Sequence, residues 1–304
     1  MNSNYVRLSG RSSIQSRVVT LIRNVISVSL LLLMSACATV AVGTRDFIIS
    51  DADLIEKNQS VPSKDIEGLR QRLGQFNFEK ITFLMSDGVR LQGVIHRKPG
   101  ATATVLLYGN NVFRVAQQAH VLFRALDPLP LNVVQFDYRG YGNSEGEPTA
   151  ALMKSDALEV LDQVQAMSSG PLVIHGHSFG SFVASHVAAQ RQVAALVLEG
   201  THTSANDFVR GMTPWYAKPF VSFDIEPALH DYDNRQLLKQ HRGALMILVG
   251  AKDTVTAPIH AKELFQSVTS APKYFYEIPH ADHMNTMKFS EAREAYQTLL
   301  RQLR

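Results

Sequence analysis

The sequence predicts an α/β domain with a mainly parallel, eight-stranded sheet flanked by helices and carrying a small cap insertion. Three observations carry that expectation. Aliphatic runs such as ATVLLYG, VAALVLEG and ALMILVG have the composition of strands buried on both faces. Stretches with helical apolar spacing alternate with them, and that alternation belongs to parallel sheets. One run, PLVIHGHSFGSFVASHVAAQ, passes from strand to helix through a serine set between two glycines.

The elements follow in order. FEKITFLM and VRLQGVIHRK flank the turn Ser86-Asp87-Gly88 and read as two antiparallel strands. ATVLLYG is the third strand, VAQQAHVLFRAL a helix and NVVQFDY the fourth strand. TAALMKSDALEVLDQV is a helix starting soon after Pro148, with Thr149 as its N-cap. PLVIHGH leads into the helix FGSFVASHVAAQ, and VAALVLEG and ALMILVG are further buried strands. APIHAKELFQSV is helical, KYFYEIP is the last strand and SEAREAYQTLLRQL the closing amphipathic helix. Residues 201–243 hold Trp215, Tyr216, Phe220 and Phe223 with three prolines in no clean period. Insertions beyond strand ends often cover sites, so this interval reads as the cap.

Ahead of the domain (76–304), residues 1–36 read as an export signal and 38–75 as a polar tether with a lead-in helix at IEGLRQRL. Arg7, Arg11, Arg17 and Arg23 precede VISVSLLLLMSAC, an apolar run of signal-peptide length that is short for a bilayer span. The formal charge is +3; without those four arginines, 26 basic residues face 27 acidic ones, or −1. The basic surplus therefore belongs to the leader and gives no nucleic-acid-binding face. Cys37 is the only cysteine, so the domain folds without disulfides. MSAC resembles a bacterial lipobox, apart from Met34 where leucine is usual. That resemblance implies a lipidated Cys37 and a chain anchored in the bacterial envelope. Ala38 in place of aspartate favours the outer membrane, facing the periplasm. Ala36-Cys37-Ala38 also fits simple cleavage, which would release a soluble periplasmic or secreted protein.

Gly176-His177-Ser178-Phe179-Gly180 stands where a nucleophile elbow requires it, after a strand and opening a helix. The glycines permit close strand–helix approach, and the helix N-terminus offers free N–H donors to a developing oxyanion. A serine needs a base to take its proton and an acid to orient that base. ALMILVGAKDTVT places Asp253 just past one strand end, and YFYEIPHADHMNT places His283 past the next. Serine, acid, histidine is the chain order this arrangement demands.

FDYRGYGNSEGEP, GHSFG, GAKDTVT and DHMNT together resemble the alpha/beta-hydrolase superfamily, in its serine-aminopeptidase-like, Bem46-like branch. The likeness covers residues 76 to 304. It implies a serine hydrolase with Ser178, Asp253 and His283 as triad, Asn110 and Phe179 N–H groups as oxyanion hole, and no cofactor. It places the base a few residues into its loop, which favours His283 over His280. It makes Asp137 and Arg139 parts of a loop beside the site. Tyr108 stands where the branch usually has histidine. His280, Asp282 and His283 could form part of a metal site, but no further ligands occur at a recognisable spacing. The expected substrate is a small or lipid-like acyl compound, cleaved as an ester or thioester. An amide-cleaving peptidase and a non-catalytic envelope lipoprotein are the alternatives.

Overall fold

Aliphatic side chains at every second position of the predicted strands face opposite sides of a sheet, so each strand needs cover on both faces. The computed structural model describes residues 38–74, 76–269 and 272–303; the leader and Cys37 lie outside them. Ten strands are formed among the described residues: β1 (Ala38–Val42), β2 (Glu79–Leu84), β3 (Arg90–His96), β4 (Ala103–Tyr108), β5 (Leu131–Phe136), β6 (Leu172–His177), β7 (Ala195–Glu199), β8 (Val221–Ile225), β9 (Ala244–Gly250) and β10 (Lys273–Ile278). The described residues divide into two units. One holds residues 38–41 and 212–224, where β1 and β8 form a two-stranded ribbon; the other holds the remainder.

In the larger unit, eight strands form one sheet in the order β10-β9-β7-β6-β4-β5-β3-β2. From β4 to β10 neighbouring strands run parallel, while β3 is antiparallel to both β5 and β2. Val105, Val133, Val173, Val197 and Met246 share a core with the helices Val115–Leu126 and Ser290–Arg301. Burying each such aliphatic contributes about 1.5–3 kcal/mol. The helix Phe179–Gln190 packs on β4, β6 and β7, alongside the helix Ala150–Met167. Thr149 caps the latter helix, its hydroxyl accepting the Leu152 N–H at 3.1 Å.

The order of strands positions the site. After β4 the chain moves one way to β5, then returns to place β6 on the other side of β4. Such a reversal opens a crevice at the carboxyl ends of the two strands. Tyr108 pairs with Gly176 there, so the residues following them, Asn110 and Ser178, emerge side by side.

Residues 43–56, expected as part of a tether, are folded and partly buried. Short helices at Thr44–Phe47 and Asp51–Glu56 bury Phe47, Ile48, Asp51 and Asp53. Arg114 pins them: its guanidinium donates to Asp51 at 2.7 Å and to the Ile49 carbonyl at 3.0 Å, and lies 3.8 Å from the Tyr141 ring centroid. The expected lead-in helix forms at Ile66–Leu73. The interval 201–243 contains helices at Ala205–Gly211, Pro227–His230 and Asn234–Leu237, together with β8.

The DYRGYG segment is structural. Buried Asp137 accepts the N–H groups of Val115 and Asn143, and burial pushes its pKa up to about 6. Arg139, 3% exposed, pairs through two nitrogens with Asp156, 2% exposed, and also reaches Asp87. Removing one partner of a buried pair leaves the other charge unpaired. Arg139→Leu should therefore cost about 3–5 kcal/mol of stability. Urea denaturation checks this, and Asp87→Asn, at the half-exposed end of the network, should cost far less.

Candidate active site

At the end of β6 the chain must turn straight into the helix Phe179–Gln190, and Ser178 takes the strain of that turn. Its φ of 54° and ψ of −119° lie where side-chain-bearing residues rarely go. The flanking glycines are required by packing. A Cβ on Gly176 would fall 2.6 Å from Ser181 Cα, and one on Gly180 2.6 Å from the Tyr108 carbonyl carbon. The Ser178 N–H is held by the Glu199 carbonyl at 2.9 Å, which fixes the turn to the end of β7.

Two other strand ends bring groups to this serine. Beyond β9, Asp253 is 3% exposed, and its Oδ1 accepts the N–H groups of Val255 and Thr256 at 2.9 and 2.8 Å. Its Oδ2 accepts the Thr256 hydroxyl and the Nδ1–H of His283, each at 2.8 Å. Burial raises the carboxyl pKa, but His283 and Thr256 outweigh it and hold the group below its ordinary value. An ionised acid at Nδ1 keeps the proton there and leaves Nε2 as an acceptor, 2.8 Å from Ser178 Oγ. Ser178, His283 and Asp253 thus lie in one hydrogen-bonded line, while His280 is exposed. Asp282 shapes the loop, accepting from Met284 N–H and Asn285 Nδ2.

Asn110 and Phe179 border the same recess as Ser178. Neither main-chain N–H has an acceptor among the described residues, so both remain free for a ligand. Tyr108 is fully buried, with its hydroxyl donating to the Ala157 carbonyl at 2.8 Å and its ring edge-on to Phe136. It supports the loop from below and leaves the donors in place.

Sequence reasoning missed several residues that hold His283. His177 donates through Nε2 to the His283 carbonyl at 2.8 Å and accepts from Asn110 Nδ2 at its Nδ1. Burial lowers its pKa and favours the neutral ring this bonding needs. Glu199, with His175 and Tyr296, forms a buried chain: Tyr296 hydroxyl to His175 Nδ1 at 2.7 Å, then His175 Nε2 to Glu199 at 3.0 Å. Gly200, at φ 54°, would put a Cβ 3.1 Å from the His283 ring. The one sequence signal was a glycine closing VAALVLEG.

The recess has apolar walls from Phe47, Val112, Phe182, Phe208, Val255 and Met284. Phe47 and Phe208 meet edge to face with centroids 5.9 Å apart. His202 adds a polar wall, its pKa lowered to about 4 by burial and by the stacked His260 ring 4.0 Å away. Thr203 donates its hydroxyl proton to Asp207 and so accepts from His202 Nδ1–H. That leaves a neutral imidazole with its Nε2 lone pair unused among the described residues.

A strained serine at a strand–helix turn, a histidine and acid from the next strand ends, and two free N–H groups define an α/β-hydrolase-type site. The sequence model described as "Alpha/beta hydrolase family" matches residues 99–250. Protein bem46 of Schizosaccharomyces pombe is 30% identical over 247 residues, covering 76% of this chain and 81% of its own. The lysophosphatidylserine lipase ABHD12 of Gallus gallus is 30% identical over 191 residues, covering 58% of this chain and 50% of its own. Among solved structures, an esterase of Pyrococcus furiosus superposes with a TM-score of 0.61 at 17% identity, over 77% of this chain and 92% of the esterase. The last likeness concerns the fold alone. The chain belongs to the alpha/beta hydrolase family, in its Bem46-like branch.

Gly200 provides a direct check on the base. Gly200→Ala should keep the fold but displace the imidazole, slowing reaction with a fluorophosphonate by at least about tenfold, since small misplacements at such sites are costly. Labelling time courses on the two proteins measure it.

Proposed function

We propose that this protein is a serine hydrolase that cleaves carboxylic esters or thioesters of small or lipid-like acyl groups through an acyl-enzyme. The observation that carries the reading is the unbroken chain Asp253–His283–Ser178, with both hydrogen bonds at 2.8 Å. His283 Nε2 takes the Ser178 hydroxyl proton as Oγ attacks the acyl carbon, and Asp253 stabilises the imidazolium. The Asn110 and Phe179 N–H groups receive the oxyanion. Collapse expels the alcohol or thiol, which takes the proton from His283. Water, deprotonated by the same histidine, then attacks the acyl-serine and returns the enzyme. No step calls for a cofactor.

Neutral, mostly apolar walls support uncharged acyl groups of modest size. The interval 201–243 acts as a cap in this reading through Phe208, which lines the recess. The lipase name of one relative and the esterase title of one structural neighbour agree with acyl-ester chemistry.

Ser178→Ala should abolish fluorophosphonate labelling and turnover of nitrophenyl esters, and persistent labelling would remove that serine from the mechanism. Asp253→Asn should lower kcat by about 10⁴-fold while leaving the fold intact, because the imidazole loses its working tautomer. Parallel assays on aminoacyl-nitroanilides distinguish ester from amide cleavage.

The lipobox-like MSAC supports a second part of the proposal, that Cys37 carries the lipid anchoring the chain at the bacterial envelope. No helix among the described residues is long and apolar enough to cross a membrane. Metabolic labelling with a palmitate analogue should mark the wild type and be lost in Cys37→Ser.

A further inference from the structure

The smaller unit is unusual in what it leaves uncovered. In β1, Ala38 to Ala41 are all exposed, and Val40 shows 43% of its surface. In the segment leading to β8, Met212 is 62% exposed, Trp215 81% and Tyr216 64%, with the two aromatic rings edge to face at 5.9 Å. A bridge between Thr39 and Ser222 hydroxyls, 2.8 Å apart, ties β1 to β8. Two-stranded ribbons are marginal in water, and an exposed Trp–Tyr pair with an exposed Met three residues before it calls for an occupant.

The chain itself indicates which. β1 starts at Ala38, directly after the apolar run VISVSLLLLMSAC at residues 25–37. The lipid proposed on Cys37 would therefore deliver β1 to the bilayer surface, and β1 carries its partner strand with it. A five-residue strand spans about 17 Å, which keeps the β8 side of the ribbon within reach of the headgroup layer. Trp and Tyr are suited to that layer, having an apolar body and a polar edge. Lys218 supplies a long side chain able to place its amine among headgroups.

We propose that the β1–β8 ribbon, through Trp215 and Tyr216, docks into the interfacial layer of a phospholipid bilayer, a second membrane contact beside the lipid proposed on Cys37. The contact is independent of the catalytic reading.

Trp215 is the only tryptophan in the chain, so its fluorescence reports on this contact alone. The full chain is bound to phosphatidylcholine vesicles, with binding verified by flotation. Iodide quenching of Trp215 should fall severalfold on the vesicles, and lipids brominated in the upper acyl chain should quench it. Trp215→Phe/Tyr216→Trp moves the probe by one residue and should respond in the same way. The proposal is overturned if vesicle-bound protein keeps the iodide access of the lipid-free protein without bromolipid quenching. It is equally overturned if the protection appears without vesicles and grows with protein concentration, since a second copy then covers the patch.

Discussion

The backbone of Ser178 is the constraint on which the site depends. A side chain held at φ 54° costs about 1–3 kcal/mol, and the fold tolerates it because the strand–helix turn is fixed from both sides. Below, the close approach of Gly180 to the Tyr108 and Gly109 carbonyls leaves no room for the turn to relax. Beside it, the Glu199 carbonyl holds the serine N–H. Relaxing the turn would break that bond and pull the helix off β6. The strain therefore has two effects together: it raises Oγ above the sheet edge, and it leaves the Phe179 N–H free at the start of the helix.

The His283 imidazole is held by main-chain and side-chain bonds that exist before any ligand arrives. Asp253 fixes the tautomer of His283, Thr256 fixes Asp253, and His177 holds the carbonyl of His283 itself. His177 also bonds Asn110, so a single neutral ring links the base loop to the loop carrying one free N–H. Glu199 is the support beneath. Its carbonyl serves Ser178; burial raises the pKa of its carboxyl, yet the bond from His175 Nε2–H helps hold the group below its ordinary value. Preorganisation of this kind lowers the reorganisation needed as charge develops, which is where enzyme electrostatics acts.

What could be read from the sequence follows from the range of the interactions involved. Strands β4, β7 and β9 are buried on both faces, so composition alone marked them. Ser178, Asp253 and His283 sit at strand ends whose order the fold dictates, so their convergence was legible as well. Residues 43–56 were not, because Arg114, more than fifty residues on, is what gives that polar stretch a place to dock. Gly200 and Thr256 escaped for a related reason: each matters only through its distance to a side chain from another strand end. Tyr108 was noted as a departure, but the core space that admits its ring, against Phe136, belongs to another strand.

Chemistry and selectivity are carried by different parts of the chain. The family match at residues 99–250 takes in Asn110 and Ser178, which belong to the switch point of the sheet. Two walls of the recess come from outside the sheet. Phe47 belongs to the N-terminal segment and Phe208 to the insertion after β7, and the two rings meet each other. Their positions depend on Arg114 and on local helix packing, not on strand register. A sheet conserved in shape can thus present one reactive centre while these two segments set the width of the recess. Likeness of fold consequently fixes the arrangement of reacting groups far more tightly than the acyl group they receive.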